Sequence, residues 1–335
     1  MIRRIFFAVI AALLLTSMAH ARTYKIAIVP WAGWSPANVA EAKGFWKEEG
    51  VDVKVAITPN LQQAITLLKN KVIDIKFNMI GSAVGLYMEG MPLRIIAETN
   101  WSHGGDKIIV KKELDTNAFK AKPIGVYLNK PSVTYFLNQY LSSIGIRLSE
   151  TRVIEMEVDD MADHFIQGRF GIIVCYDPVT LRAVKQGNGK VVATSATYQG
   201  CIPEGMMGLE DVVKNIPQED LLKILRGWVR AVRWSQDPAN WKAYTDILNN
   251  HTFKADKPYS DGELREMVGS VRIHNPGAQL ERNQNNGGLH TYLKNLKAFL
   301  IENNMLKKDF NPEKIFDNRA MVTVLEEFVK PSDDL

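Results

Sequence analysis

The stretch "YKIAIVPWAGWSPANVAEAKGFWKEEGVDV", Tyr24 to Val53, decides how the rest of the chain is read. "YKIAIV" (24–29) is short, rich in β-formers and ended by a Pro and a Gly, which reads as a buried strand. A turn follows, with Trp31 and Trp34 flanking Gly33. Ser35 is a natural N-cap and Pro36 suits the first helical position, so a helix opens there. "VDVKVAI" (51–57) begins the next strand. Strand, turn, helix and strand in this order form the unit of an open α/β sheet. The unusual feature is a pair of large rings on a tight turn instead of in the core.

The same rhythm continues outward. Asn60 starts the helical "LQQAITLLKNK"; "IDIKFNM" (73–79) is a third strand, "GSAVGLYMEG" a short helix and "LRIIAE" (93–98) a fourth strand. The alternation then restarts with strands "DKIIVKK" (106–112), "PIGVYL" (123–128), "RVIEMEV" (152–158), "GIIVCY" (171–176) and "KVVATS" (190–195), with helices between the later ones. From about Pro217 the chain turns helical, with "QEDLLKILRGWVRAVRWSQD" and "GLHTYLKNLKAFLIENN" both apolar every three to four positions. These late helices are read as having no strands of their own, so they cover a sheet made earlier. "NPGAQLERNQNNGG" (275–288) is polar and Gly-rich and reads as a surface loop. The simplest path leaves a first lobe (22–104), builds a second (105–199) and returns to finish the first (200–335).

The amino-terminal 21 residues read as a secretory signal peptide: Arg3 and Arg4, the apolar run "IFFAVIAALLL", then the small-x-small site "AHA" with cleavage expected after Ala21. The run falls short of the ~20 residues a spanning helix needs. A mature exported chain of about 314 residues exceeds a typical single domain. Without Arg3 and Arg4 the formal net charge drops from +4 to +2, and no basic stripe with interleaved aromatics marks a nucleic-acid surface. Two cysteines, Cys175 and Cys201, exclude a disulfide framework but leave one bridge open. Neither has the spacing of a metal site or a redox pair.

In an open α/β sheet, ligands bind beyond the carboxyl ends of the strands, where helix N-termini offer free N–H groups. The residues just after each strand are therefore the candidate ligand-binding set. They are Trp31, Gly33, Trp34 and Ser35; Asn60 and Gln62; Asn78, Gly81 and Ser82; Trp101, Ser102 and His103; Asn129 and Ser132; Asp159; and Tyr176 and Asp177. Rings at a pocket mouth supply apolar contact, stacking or a cation–π face, which explains tryptophans on a turn. A catalytic set does not assemble. GxSxG, HExxH and dinucleotide or P-loop fingerprints are absent, His103 has no serine motif beside it, and Cys175 is the sole nucleophile candidate. Asp159 and Asp160 read as helix caps. No cofactor or metal is expected.

Several spaced blocks resemble the type II periplasmic substrate-binding proteins of the nitrate/sulfonate/taurine and thiamine-pyrimidine-precursor importers. They are "GWSPANVAEAKGFWKEEGVDVKV", "QAITLLKNKVIDIKFN", "KPIGVYLNKPSVTYFLNQYLSSIGI" and "FIQGRFGIIVCYDPVTLRAV". In the last block Tyr176 stands where the family often has Trp, and Gly171 where it has Asp. The resemblance implies an α/β fold of two lobes, each a mostly parallel sheet flanked by helices, joined by two crossover segments. It also implies a monomeric, periplasmic, non-enzymatic protein that holds a small molecule between its lobes and meets an inner-membrane ABC permease with its ATPase. Two classes of ligand remain open: an anion, which Lys130 or His103 would favour and Asp106, Asp159, Asp160 and Asp177 would oppose, and a flat heterocycle or amine, which the rings would favour. An exported sensor, or an enzyme on the same fold, are the alternative functions.

Overall fold

The structure, a computed structural model, describes residues 22–128, 130–256 and 258–329. The expected signal peptide lies outside the described residues, as does Asn129. Among the described residues no helix is long and apolar enough to cross a membrane.

Among the described residues eleven strands form two sheets. β1 (Thr23–Ile28), β2 (Asp52–Ile57), β3 (Ile75–Met79) and β4 (Leu93–Ser102) come first, followed by β5 (Asp106–Lys111), β6 (Pro123–Val126), β7 (Arg152–Glu155), β8 (Ile172–Tyr176) and β9 (Gly189–Thr194). β10 (Pro203–Leu209) and β11 (Val271–Ile273) close the series. The first sheet has the order β11-β4-β10-β3-β1-β2 and the second β7-β6-β8-β5-β9. β1 pairs in parallel with β2 and β3, whereas β10 inserts antiparallel between β3 and β4. The chain crosses between the sheets twice, after β4 and before β10. The crossing segments are tied together: Ser102 Oγ and Ser195 Oγ lie 2.8 Å apart, and the Gly104 N–H donates to Ser195 Oγ at 2.8 Å.

The first sheet is buried on both faces, which is why its strands read as near-continuous apolar runs. One face packs on helices 36–42, 218–236 and 319–329, with fully buried Trp228 centred 4.9 Å from Phe77. The other packs on helices 61–69, 80–88 and 288–302. Truncating a ring such as Trp228 costs about 3–5 kcal/mol through lost transfer energy and an unfilled cavity.

Four expectations change. The late segment does contribute strands: β10 and β11 both join the first sheet. Residues 275–288 are not a surface loop, because Pro276–Asn283 is a helix capped by Asn275, whose Oδ1 accepts from Ala278 N–H at 2.9 Å. Its Gln279 and Asn283 are buried, and Asn283 donates to the Glu98 carbonyl. Ser35 precedes its helix but does not cap it; its hydroxyl donates to the Ala32 carbonyl and meets Tyr244 OH. Asp159 and Asp160 lie inside the first turn of helix Val158–Ile166 and do not cap it. The open question of a bridge also resolves: Cys175 and Cys201 are separate, buried, free thiols.

Candidate functional site

The turn after β1 does not expose its tryptophans. Trp31 and Trp34 turn inward and are nearly buried, into a cleft between the two sheets. Gly33 permits this, because a Cβ there would sit 2.4 Å from Asn100 Nδ2 and 2.8 Å from Trp31 Nε1. The cleft is nearly closed, with a cavity volume of about 30 Å³, and is lined by Val29, Trp31, Trp34, Leu61, Met79, Asp106, Tyr127, Tyr176 and Glu204. That is room for about two waters, at roughly 10–15 Å³ each, so the two lobes lie drawn together over the cleft. Asp106, Tyr127 and Tyr176 come from the second sheet and its strand ends; the rest come from the first sheet, the turn after β1 and the start of helix 61–69. The two sets meet edge to face where Trp31 lies 6.1 Å from Tyr176, and within the second set Tyr127 lies 4.8 Å from Tyr176, between ring centroids.

Two carboxylates are sunk in this cleft. Glu204 Oε2 accepts from Trp31 Nε1–H at 2.7 Å and from Asn100 Nδ2–H at 2.5 Å. Asp106 Oδ1 accepts from Tyr127 OH at 2.8 Å. Burial, then the negative charge of Asp106, pushes Glu204 up to about 8 against the pull of its hydrogen bonds. Burial likewise raises Asp106 to about 6, although Ser102 and Tyr127 oppose the shift. The Trp34 N–H is near enough to Glu204 to favour its charged form, yet it has no hydrogen bond of ordinary geometry.

The other expected site residues lie outside the cleft lining. Gly81, Ser82 and Ser132 build a second contact between the lobes, in which the Ser82 N–H donates to Ser132 Oγ at 3.0 Å. Lys130, weighed as an anion partner, instead pairs with Glu89 across this seam. Asn60 is spent as a cap, accepting from Gln63 N–H at 2.8 Å, and Gln62 beside it is exposed. Asn78 is buried with its Nδ2 near Met207 Sδ, and Asp177 pairs with Lys107 and Thr180. Ser102 bonds the crossing segments, and Ser35 bonds Tyr244. Trp101 packs against His274 at 4.9 Å, His103 faces Arg272, and Asp159 pairs with Arg182 at the surface. Trp31, Trp34 and Tyr176 thus line the cleft, and the rest of the set supports or surrounds it. Asp106, Tyr127 and Glu204 line the cleft but are not in the candidate set that the sequence gives. Tyr127 falls at the end of a recognised strand, but Glu204 sits in "PEGMMGL", which no strand pattern marks.

A nucleophile does not emerge. Cys175 is fully buried, and burial followed by the charges of Asp177 and Asp106 pushes its thiol well above the ordinary range, away from reactive thiolate. No group of His, Cys, Asp and Glu able to hold a metal occurs among the described residues.

Two sheets joined by two crossings, with a cleft lined from both, define the periplasmic-binding-protein fold. The chain belongs to the NMT1-like family, whose profile matches residues 18–249. It is 22% identical over 228 residues to YtlA of Bacillus subtilis strain 168, designated a binding protein; the match covers 65% of this chain and 66% of that one, just under two thirds of the relative's length. Among solved structures, it resembles the periplasmic nitrate-binding protein NrtA of Synechocystis PCC 6803, with TM-score 0.72, 15% identity, and 94% of this chain and 91% of that one covered. It also resembles the periplasmic aliphatic sulphonate-binding protein SsuA of Escherichia coli, with TM-score 0.65, 12% identity, and 88% and 96% covered. A Candida albicans gene product with the generic periplasmic-binding-protein fold gives TM-score 0.68 at 12% identity, with 89% and 96% covered. At these identities the likeness speaks for the fold.

Proposed function

We propose that this protein is exported to the periplasm, captures a small solute between its lobes and delivers it to an inner-membrane ABC permease and its ATPase. The observation that carries this reading is the cleft itself: side chains from both sheets close around one small space. A solute held there contacts both lobes only when they are together, so its binding energy favours the closed state over the open one. The lobes are 22–104 with 200–335, and 105–199, and the tied crossings at Ser102 and Ser195 form the hinge. In this reading the protein acts as a monomer without catalysis, and Cys175, the candidate nucleophile, is buried.

The test is a thermal-shift and tryptophan-fluorescence screen of the mature protein, since Trp31 and Trp34 report directly on the cleft. A ligand at a hundredfold its dissociation constant stabilises by about 2.7 kcal/mol. A hit that also reduces the radius of gyration in solution scattering supports capture by closure. Turnover of a bound solute would replace this reading with an enzymatic one.

A further inference from the structure

The charge in the cleft is one-sided. Asp106 and Glu204 are the charged side chains among its lining residues, one from each sheet, and neither is paired with a cation. The cations nearby are engaged elsewhere. Lys107 is held by Asp177 and Thr180, and Arg272 lies against His103. Lys76 is fully buried on β3, donates to the Phe77 carbonyl at 2.9 Å, and lies 6.0 Å from the centroid of the Trp34 ring without lining the cleft. Two buried carboxyls met only by neutral donors are costly to keep ionised without a cation. Four rings surround them, and the faces of Trp and Tyr rings attract positive charge most strongly where water is excluded.

We propose that the solute is a small organic cation, caged by Trp31, Trp34, Tyr127 and Tyr176 and charge-paired to Asp106 and Glu204; this rests on the solute-capture reading. An anion entering the same space meets two like charges once both carboxyls are ionised, above about pH 8, which costs several kcal/mol there. The two carboxyls hold protons more tightly than ordinary ones in the empty cleft, so a bound cation displaces a proton. Its affinity therefore tightens as pH rises from about 6 to about 8, by at most about tenfold per unit for one proton released.

The experiment uses shape-matched probes of different charge on the mature protein: benzamidinium, benzamide and benzoate, together with choline, its uncharged tert-butyl isostere, and nitrate. The expected result is stabilisation by the cations alone, tighter at higher pH. Glu204→Gln and Asp106→Asn should each weaken it by about thirtyfold or more while both variants still unfold cooperatively. Cation binding that neither variant weakens overturns the proposal. Binding of a neutral or anionic probe that Trp31→Ala removes also overturns it, but leaves solute capture standing. No stabilisation by any probe of any charge counts against both.

Discussion

Two buried glutamates lie on neighbouring strands and have opposite surroundings. Glu98 on β4 pairs across the ladder with Gly205, next to Glu204 on β10. Glu98 accepts two hydrogen bonds from Arg282, at 2.8 and 2.9 Å, and lies 3.0 Å from His274 Nε2. Its backbone is also held, since its N–H donates to Asn283 and its carbonyl accepts from Asn283 and Gln279. Burial pushes Glu98 up, but the bonds to His274 and Arg282 outweigh it and hold the group below the usual carboxylate range. Glu204 has only an indole and an amide, and stays raised. The contrast separates a carboxylate that fastens helix 276–283 to the sheet from one whose counter-charge is not supplied by the fold. Burial alone does not distinguish structure from function; the partners do.

The largest effect should come from breaking the satisfied site. Arg282→Ala leaves Glu98 buried without its guanidinium and should cost about 3–5 kcal/mol, read as a lowered denaturation midpoint. A loss below 1 kcal/mol would mean that His274 and Asn283 suffice, and the contrast between the two glutamates would weaken.

The next effect tests the unsatisfied site through pH. A carboxyl raised on folding is protonated in the native chain and ionised in the unfolded one between its two pKa values, so stability falls as pH rises through that window. For Glu204 the upper edge is about 8. Asp106 contributes in the same direction up to about 6, and Lys76, lowered by burial to about 7, contributes with the opposite sign above that point. Subtracting Glu204→Gln from the wild type isolates the Glu204 share between pH 6 and 8. The variant should gain up to about 1.4 kcal/mol per pH unit relative to wild type. Parallel curves would show that Glu204 has a cation partner after all.

The same contrast explains what could be read from the sequence. The α/β alternation was legible because each strand is a short apolar run followed by a turn and an amphipathic helix. Trp31, Trp34 and Tyr176 are legible as well, since the two tryptophans follow a strand end and Tyr176 forms one. Glu204 was not: it lies on the strand that returns from the second lobe, in a Gly- and Met-rich segment with low β character, and its place opposite Asn100 is set by long-range pairing. Asp106 was seen at the rim but weighed only as an obstacle to anions. Helix 276–283 looked like a loop because its inward face is polar, Gln279 and Asn283 bonding the backbone of β4 instead of packing as hydrophobes. Its start signal, Asn275 before Pro276, was nevertheless present.

The smallest effect probes the other contact between the lobes, the seam beside the cleft. Here helix Ile80–Met88 meets helix Pro131–Ser143 without an intervening space: a Cβ on Gly81 would lie 2.6 Å from Tyr292 OH, 2.7 Å from Ser132 Oγ and 2.9 Å from the Ser132 backbone nitrogen. Tyr135 packs its ring edge-on against Tyr292 and Phe299, at 5.9 and 5.2 Å. The seam is complementary by shape, whereas the cleft is left incomplete in charge. Gly81→Ala should therefore act on closure and leave ligand chemistry alone. Overpacking of this kind costs about 1–3 kcal/mol, and in the open form the clash with Ser132 is relieved. The expected outcome is a larger radius of gyration and a weaker apparent affinity for every ligand in the same proportion, with the pH dependence unchanged, because the competent population falls while the site stays the same. A change in pH dependence or charge preference would show that seam and cleft are not separable, and that the packing at Gly81 also sets the position of Asp106 against Glu204.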